Sequence, residues 1–469
     1  MAEDDIVKDI LTSAINLAVQ VIEASNETIF FKKECDEVKN KVQKLLELLE
    51  KALIASSSLC EFPTRHVISI AEAMRRKSLS LFYKGIPRVT NRFITIIHVS
   101  TYQKMLVGLE RSINDVSWLL NVSVPSNDGE QEELFGLPPF AMNDPTLSMI
   151  YELMAILYRG TLDEDSCEAA RSLRSMASDN PRCAEIMIRN GLCSVFAKIL
   201  RQGSMRAQAE VACTTSVLVA SFPESQDLFA QHDVIQLLLS HLVTPEVEDS
   251  LQMKAMAAKA LRELAKGNSS ICKSITDSKR FLRFANLLET QDKQVRYNSL
   301  MVLTEITAVA EQDSDLRRSS AFKCKSPVFK AIVHQIHKLT GENGDTVLLI
   351  PCITLIGNLA RAFRASDTSM IEQLVKLLGH QDPKVSREAI VALTKFARPS
   401  NYLHNDHSRA IVEAGAARRL IELSSLGCEI RIPALELLIC IAAHVPEKEE
   451  VVKVLECASN QPLTNSQMC

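Results

Sequence analysis

The residues of this chain that could perform chemistry occur in isolated pairs. His334 and His337 lie three positions apart on a predicted helix, and His404 and His407 form a second pair. Each pair could supply half of a metal site, but no cysteine or carboxylate partner completes either set at ligand spacing. The phosphate-loop, dinucleotide-binding, zinc-protease and serine-hydrolase motifs do not occur in the sequence. We therefore expect packing or surface histidines, and a protein without catalytic activity, cofactor or metal.

A run of basic residues is the second chemically distinctive feature. The stretch from Arg65 to Arg92 is rich in Lys and Arg and contains only one acidic residue, Glu72. Such a cluster attracts anionic lipid at about 1 kcal/mol per basic residue near the surface; the alternative is a solvated helix face. Aromatic residues do not alternate with these charges, so we do not expect nucleic-acid binding. The predicted membrane-binding residues are Arg75, Arg76, Lys77, Arg88 and Arg92.

The elements that position these residues are helices with a recurring apolar stripe. The stretch from Pro383 to Ala397 carries small and large apolar residues at helical spacing, and its proline suits the first turn of a helix. The stripe recurs about seven times at intervals of roughly 37 to 45 residues, the period of stacked helical repeats. The copies begin at Ala169, Ala212, Ala257, Ser299, Cys352, Ala389 and Ala434.

A second amphipathic helix precedes the stripe, and in two repeats a shorter helix ending at Gly191 or Gly415 comes before that. Glycine there supplies the positive φ that ends a helix. A short helix, a glycine turn and two longer helices form the three-helix armadillo unit, which must stack to bury its apolar face. We predict an armadillo solenoid, a right-handed superhelix, over residues 146–457. One longer interval predicts a polar loop projecting from the solenoid between Glu311 and Pro327.

The rest of the chain differs in composition. Residues 1–124 carry four long amphipathic stretches with short connections, which predict an up-and-down four-helix bundle. Residues 125–145 contain several acidic residues, several prolines and no basic residue, and predict a linker. The polar residues 458–469 predict a disordered tail. The fold class is therefore all-α, an N-terminal bundle followed by repeats.

Composition narrows the class of protein further. The net charge of −4 gives no overall attraction to nucleic acid. The thirteen cysteines include no CxxC pair, and we find no signal peptide and no apolar run of about 18 residues. This pattern indicates reduced thiols in an intracellular protein. Cys213, Cys352 and Cys440 are expected to act as small hydrophobes on apolar stripes.

The concave surface of the predicted solenoid is the expected protein-binding groove. Armadillo proteins that hold extended peptides use a ladder of asparagines, and at the matching positions of this chain only Asn358 is an asparagine. We assign Asn358, Arg361 and Lys395 as candidate groove residues. Two serines, Ser320 and Ser78, are phosphorylation candidates because each is preceded by two basic residues in the pattern R-R-x-S. Ser320 is the better candidate because it lies in the polar insertion, whereas Ser78 lies on a predicted helix.

The whole pattern resembles the plant armadillo-repeat-only family. The stretches that carry the resemblance are FKKECDEV at 31–38, LPPFAMNDP at 137–145 and IPALELLICIAAHVP at 432–446. The resemblance implies a non-enzymatic scaffold in polarised growth, located in the cytoplasm and peripherally at the plasma membrane, with the nucleus as a further location. It implies signalling partners that include GTPase-activating proteins of Rho-type GTPases, with anionic lipids as additional ligands.

Two other functional classes compete with this interpretation. The bundle is similar in outline to four-helix domains that perturb membranes in cell-death and immune signalling, where the repeats would act as a sensor. A ubiquitin ligase would need a U-box before the repeats, and the helical periodicity of the first third of the chain argues against one. Liposome leakage caused by the bundle would favour the first alternative over a scaffold.

Overall fold

The computed structural model contains α-helices, short 3-10 turns and no strand in the residues it describes. These residues are 3–27, 32–85, 99–123, 144–160, 163–243, 248–278, 280–341, 346–425 and 427–445. The chain divides into two compact units, Met1–Val234 and Ile235–Cys469. Arg88, Arg92, most of the predicted linker and the predicted tail lie outside the described residues.

A bundle of long helices opens the first unit. Its members are α1 (Glu3–Asn26), α2 (Lys32–Ile54), α3 (Glu61–Gly85) and α4 (Val99–Ser123). Helix α1 packs against α2 and α3, and α4 packs against the same two helices. Apolar side chains at helical spacing, such as Leu11, Leu45 and Leu109, are fully buried between them. The predicted bundle is confirmed, and Trp118 lies in its core.

Helical repeats complete the first unit. They comprise α5 (Pro145–Arg159), α6 (Asp163–Asp179), α7 (Pro181–Arg189), α8 (Leu192–Gln202), α9 (Met205–Ser221) and α10 (Gln226–Gln231). The long helices α6 and α9 pack side by side. Both carry predicted apolar stripes, and the stripe residues Ala169, Leu173 and Ala212 are buried.

The bundle packs directly on the first repeat. The rings of His66 on α3 and Tyr151 on α5 have centroids 5.7 Å apart. Gly191 has a φ of +85°, and a Cβ built on it would lie 2.0 Å from the ring of Phe62. The helices therefore change from bundle to repeat between Ser123 and Pro145, as the sequence indicates, but the two parts share a packed interface. That residues 1–124 and 146–457 are independent domains remains a prediction.

The second unit continues the repeats. Helix α11 (Val234–His241) begins at the last residue of the first unit. The helices that follow it are α12 (Glu248–Ala265), α13 (Ser269–Asp277), α14 (Phe281–Leu287), α15 (Lys293–Gln312), α16 (Ser314–Arg317), α17 (Pro327–Leu339), α18 (Thr346–Asn358), α19 (Ser369–Leu377), α20 (Pro383–Ala397), α21 (His404–Glu413), α22 (Ala416–Ser424) and α23 (Cys428–His444). The long third helices α12, α15, α18, α20 and α23 pack in series, each against the next. With α6 and α9 they carry all of the predicted stripes.

The predicted three-helix unit is clearest at the end of the second unit. Helix α21 is the first helix, Gly415 follows with a φ of +85°, α22 is a second helix of similar length, and α23 is the long third helix. Small residues let the third helices approach closely: a Cβ on Gly357 of α18 would lie 3.0 Å from Ala392 Cα of α20. Larger residues such as Phe396 fill the space between the helices and are fully buried.

The prediction of a projecting loop between Glu311 and Pro327 is wrong. This segment folds into α16 and a 3-10 turn, Ser320–Phe322, and buries Leu316 and Phe322. The guanidinium of Arg317 donates to the carbonyl oxygens of Ala310 and Glu311 at 3.2 and 2.8 Å, which satisfies the last turn of α15. The segment is polar in composition, but its few apolar residues are spaced so that α16 and the 3-10 turn can pack in the place of a first helix.

The interface between bundle and repeats can be tested at Gly191. Gly191→Ala is expected to destabilise the first unit by more than the roughly 1 kcal/mol that a strained positive φ costs, because the new methyl group also collides with Phe62. Gly415→Ala is the matched control: its φ is also +85°, but nothing lies within 4 Å of its Cβ position. Calorimetry on the full chain measures both losses. Equal losses would contradict the packed interface.

Candidate functional site

A polar network joins three successive third helices of the second unit. The amide nitrogen of Asn358 on α18 donates to the carbonyl oxygen of Thr304 at 3.3 Å and to Thr307 Oγ1 at 3.2 Å, both on α15. Its amide oxygen accepts from Lys395 Nζ of α20 at 2.7 Å. The same ammonium group donates to Glu311 Oε2 on α15 at 2.6 Å. The network therefore ties α15, α18 and α20 together.

Two of the three predicted groove residues, Asn358 and Lys395, belong to this network. Asn358 and Lys395 are in direct contact, and Arg361, on the 3-10 turn Ala360–Ala362, lines a small cleft beside Asn358. Both N–H groups of the Asn358 amide are used inside the fold, so it bridges helices where a ladder asparagine would hold a peptide backbone. Sequence reasoning missed Glu311, which it placed at the start of a loop.

Residues at equivalent positions of the third helices form two parallel rows, which we call the third-helix surface. All are half-buried or exposed. The first row is Glu263, Glu305, Asn358, Lys395 and Cys440, and the second is Lys259, Met301, Thr354, Val391 and Glu436. The first row changes along the unit from acidic to basic, and the second contributes apolar Met301 and Val391. The rows thus offer mixed charge with apolar contact points.

Glutamates of these rows form ion pairs with arginines that lie beside the rows. The guanidinium of Arg262 lies 3.7 Å from carboxylate oxygens of both Glu263 and Glu305. Further along, Arg398 and Glu436 are 2.8 Å apart, joining α20 to α23. The side chains are partly exposed, so each pair alone is worth little in stability. Their effect is to hold neighbouring polar groups in fixed positions along the surface.

Arg75, one residue of the predicted basic cluster, does not lie on the surface of the bundle. The side chain of Arg75 is fully buried on α3, at helical spacing from the core residues Ala71 and Phe82. Its guanidinium nitrogens have no hydrogen-bond partner among the described residues. Burial lowers the pKa of this guanidinium to about 10. The prediction that Arg75 faces lipid is therefore wrong in this structure, because it lies on the apolar stripe of its helix.

Arg76 and Lys77 do lie on the surface, as predicted. They border a groove of about 540 Å³ between α3 and α4, together with Lys104 of α4. Met74, Leu81 and Met105 supply its apolar lining. Arg76 also forms an i,i+4 pair with Glu72 at 3.5 Å. Sequence reasoning missed Lys104 because only the packing of the two helices brings it beside the cluster.

The two candidate phosphorylation sites differ in accessibility. Ser78 is fully buried, and its hydroxyl donates to the carbonyl oxygen of Met74 at 3.1 Å, so a kinase cannot reach it in the folded bundle. Ser320 is exposed on the short turn that follows α16. Phosphorylation of Ser320 remains a prediction, and the assignment of Ser78 as a phosphorylation site is wrong in this structure.

The histidine pairs lie in different surroundings. His334 and His337 are exposed on α17. His407 is buried, 5.1 Å from the ring of Phe396, and His404 packs against His444 with centroids 4.4 Å apart. Burial lowers the pKa of both His407 and His444, and the nearby His404 lowers that of His444 further. In the part of the chain that the structure describes, no three His, Cys, Asp or Glu residues are grouped to hold a metal ion.

The cysteines named on apolar stripes are not all buried. Cys352 is fully buried, and burial raises the pKa of its thiol to about 12. Cys213 and Cys440 are only half-buried, since their positions on the third helices face the surface. The expectation of core thiols is therefore right for Cys352 and wrong for the other two.

None of the helices within the described ranges has the length and apolarity needed to cross a membrane.

Comparison with solved structures supports the fold. The crystal structure of an engineered protein is 18% identical with a TM-score of 0.53, and the alignment covers 94% of this chain and 99% of that chain. A second engineered protein is 22% identical with a TM-score of 0.39, covering 64% and 98%. A designed armadillo repeat protein is 18% identical with a TM-score of 0.38, covering 63% and 99%. The first similarity shows a shared fold, and the other two scores are too low to add to that conclusion.

The three-helix units, the glycine turns and the serial packing of third helices define an armadillo-like helical repeat protein that carries a helical bundle. Residues 8–124, the span that contains the helices of the bundle, match the family model of a domain of unknown function, DUF7792. A search of the curated proteins found no match to the chain.

Replacing Arg75 tests whether a buried charge weakens the bundle. The shift in its pKa from 12.5 to about 10 corresponds to a penalty of about 3 kcal/mol. We expect Arg75→Met to stabilise the first unit by about 1–3 kcal/mol, raising its melting temperature by roughly 2–10 °C. Arg76→Met, on the same helix but exposed, is the control and should change little. A lower melting temperature for Arg75→Met would show that the guanidinium has a stabilising partner.

The histidines of the last repeat predict a pH dependence. Because burial lowers the pKa of His407 and His444 below 6.5, the fold favours their neutral forms. The contribution of these two histidines to the stability of the second unit is then fully present above pH 6.5, and it falls as the pH drops toward their lowered pKa values. The melting temperature of the second unit should therefore be lower at pH 5.5 than at 7.5. His444→Gln should reduce this difference, and the exposed His337→Gln should leave it unchanged; equal slopes in both variants would refute the assignment.

Proposed function

We propose that this protein is a non-enzymatic scaffold that binds protein partners through the third-helix surface. The observation that carries the proposal is the pair of rows that stay accessible on successive third helices, from Glu263 to Cys440 and from Lys259 to Glu436. Stacked repeats present such rows as extended surfaces, which suit an elongated segment of another protein. The lateral pairing of charges limits the entropy that would be lost when a partner binds.

The resemblance to the plant armadillo-repeat-only family extends this proposal. On that basis the partners are signalling proteins, including GTPase-activating proteins of Rho-type GTPases, and the place of action is the plasma membrane during polarised growth. The groove bordered by Arg76, Lys77 and Lys104 supports the membrane part of the proposal, because it combines cationic groups with an apolar lining.

Partner capture tests the role of the third-helix surface. A variant carrying Met301→Glu and Val391→Glu places charges on the second row without touching the buried stripe. Captured from the native cells, the wild type should retain GTPase-activating proteins that this variant loses. Tyr402→Glu, at a side chain 75% exposed outside the rows, is the control and should retain them. Equal retention by all three proteins would refute the proposed surface.

Vesicle binding tests the membrane part. Lys77→Glu with Lys104→Glu should lower partitioning onto phosphatidylserine vesicles by roughly 30-fold, given about 1 kcal/mol per basic residue. Arg182→Glu with Arg201→Glu changes the net charge equally at exposed positions outside the bundle and should have a small effect. Equal losses in both variants would show a general charge effect and remove the assigned groove.

The buried Arg75 supports a second candidate, in which the bundle perturbs membranes. A fully buried guanidinium without a described partner lowers the free energy needed to open the helices. Release of a dye trapped in the same vesicles separates the two functions. A scaffold binds without release, whereas release by the wild type that Arg75→Met suppresses would favour the membrane-perturbing function.

A further inference from the structure

One repeat of the second unit has almost no first helix. The first helices α13 and α21 have 9 and 10 residues, and α21 packs against the second and third helices of the preceding repeat, α19 and α20. Before α19 the corresponding element is only the 3-10 turn Ala360–Ala362, followed by residues 363–368 without helix. One side of α17 that a first helix would cover is therefore open.

The space left there is a groove of about 1020 Å³, which we call the α17 groove. Its floor is apolar: the rings of Phe329 and Phe363 meet edge to face with centroids 5.4 Å apart, and Val333 and Met370 lie beside them. Phe329, Phe363 and Met370 are themselves at least nine-tenths buried. The floor is thus a fixed surface that belongs to the packed core of the repeat.

The rim of the α17 groove is cationic. Lys325, Lys330 and Arg364 are exposed around it, and among the described residues that line it Asp367 is the one carboxylate. That carboxylate accepts the backbone N–H of Arg364 at 3.2 Å, so part of its capacity is already used. The rim therefore favours a ligand that carries negative charges beside apolar groups.

We propose that the α17 groove binds a short amphipathic acidic helix of a partner protein, which occupies the place of the missing first helix. First helices of this protein place apolar residues one turn apart on their buried face, as Ile271 and Ile275 do on α13. A partner helix with apolar residues at i and i+4 would use the floor in the same way. Acidic residues beside them would meet Lys325, Lys330 and Arg364. This site is separate from the third-helix surface and extends the proposed function.

Peptide selection on the full chain provides the test. A displayed library of peptides of about 16 residues, long enough for a marginally stable helix, is selected against the wild type. Enriched sequences should carry apolar residues at i and i+4 with acidic neighbours. Synthesised and labelled, they should bind Lys330→Glu with Arg364→Glu at least tenfold more weakly than the wild type. Enrichment without acidic residues would overturn the proposal.

Two controls separate the possible sites. Lys376→Glu with Lys384→Glu makes the same charge change at exposed positions outside the groove and should keep the affinity. Met301→Glu with Val391→Glu, on the third-helix surface, should also keep it. Loss of binding in this last variant, with the groove variant unaffected, would overturn the α17 groove and leave the third-helix surface supported. Sedimentation that shows a dimer dependent on Lys330 and Arg364 would assign the groove to a second copy of this chain and likewise overturn the proposal.

Discussion

Side-by-side contact between successive third helices underlies the architecture of the second unit. The contact requires small residues where backbones approach, as at Gly357 and Ala392, whose Cα would lie 3.0 Å from an added Cβ. It also requires large apolar residues elsewhere, such as the fully buried Phe396. The helices are then held so close that polar side chains at their accessible edges reach neighbouring helices, as Lys395 of α20 does to Asn358 of α18 and to Glu311 of α15. The third-helix surface is a consequence of this spacing.

Much of this architecture is local enough to be predicted from the sequence. The stripe that begins at Ala389 recurs because each repeat solves the same packing problem, and the positive φ of Gly191 and Gly415 is dictated by the turn itself. The wrong predictions are those that depend on the composition of a stretch and not on the helical spacing of its residues. The basic composition assigns Arg75 to a surface cluster and a short motif assigns Ser78 to a kinase, although both lie at core spacing on α3. The network could not be predicted, because stacking alone brings Lys395 close to Glu311, 84 positions away in sequence.

The regular and irregular parts of the repeats have different consequences. Regular stacking aligns equivalent residues into rows, and the rows acquire their specificity from side chains that differ from one repeat to the next, such as Glu305 and Lys395. The irregular repeat before α19 departs from the pattern by losing its first helix, and this departure produces a groove with an apolar floor and a cationic rim. In the bundle, Arg75 is a comparable departure, since it places a charge where every neighbour on the stripe is uncharged.

The most direct measurement is the coupling between Glu311 and Lys395 across α15 and α20. Glu311→Gln, Lys395→Met and the double variant form a cycle, with local stability read from hydrogen exchange of the α20 amides. Because both side chains are partly exposed, we expect a coupling free energy of about 0.5–1.5 kcal/mol. Strictly additive losses, with a coupling of zero, would contradict the claim that polar pairing between third helices orders their shared surface.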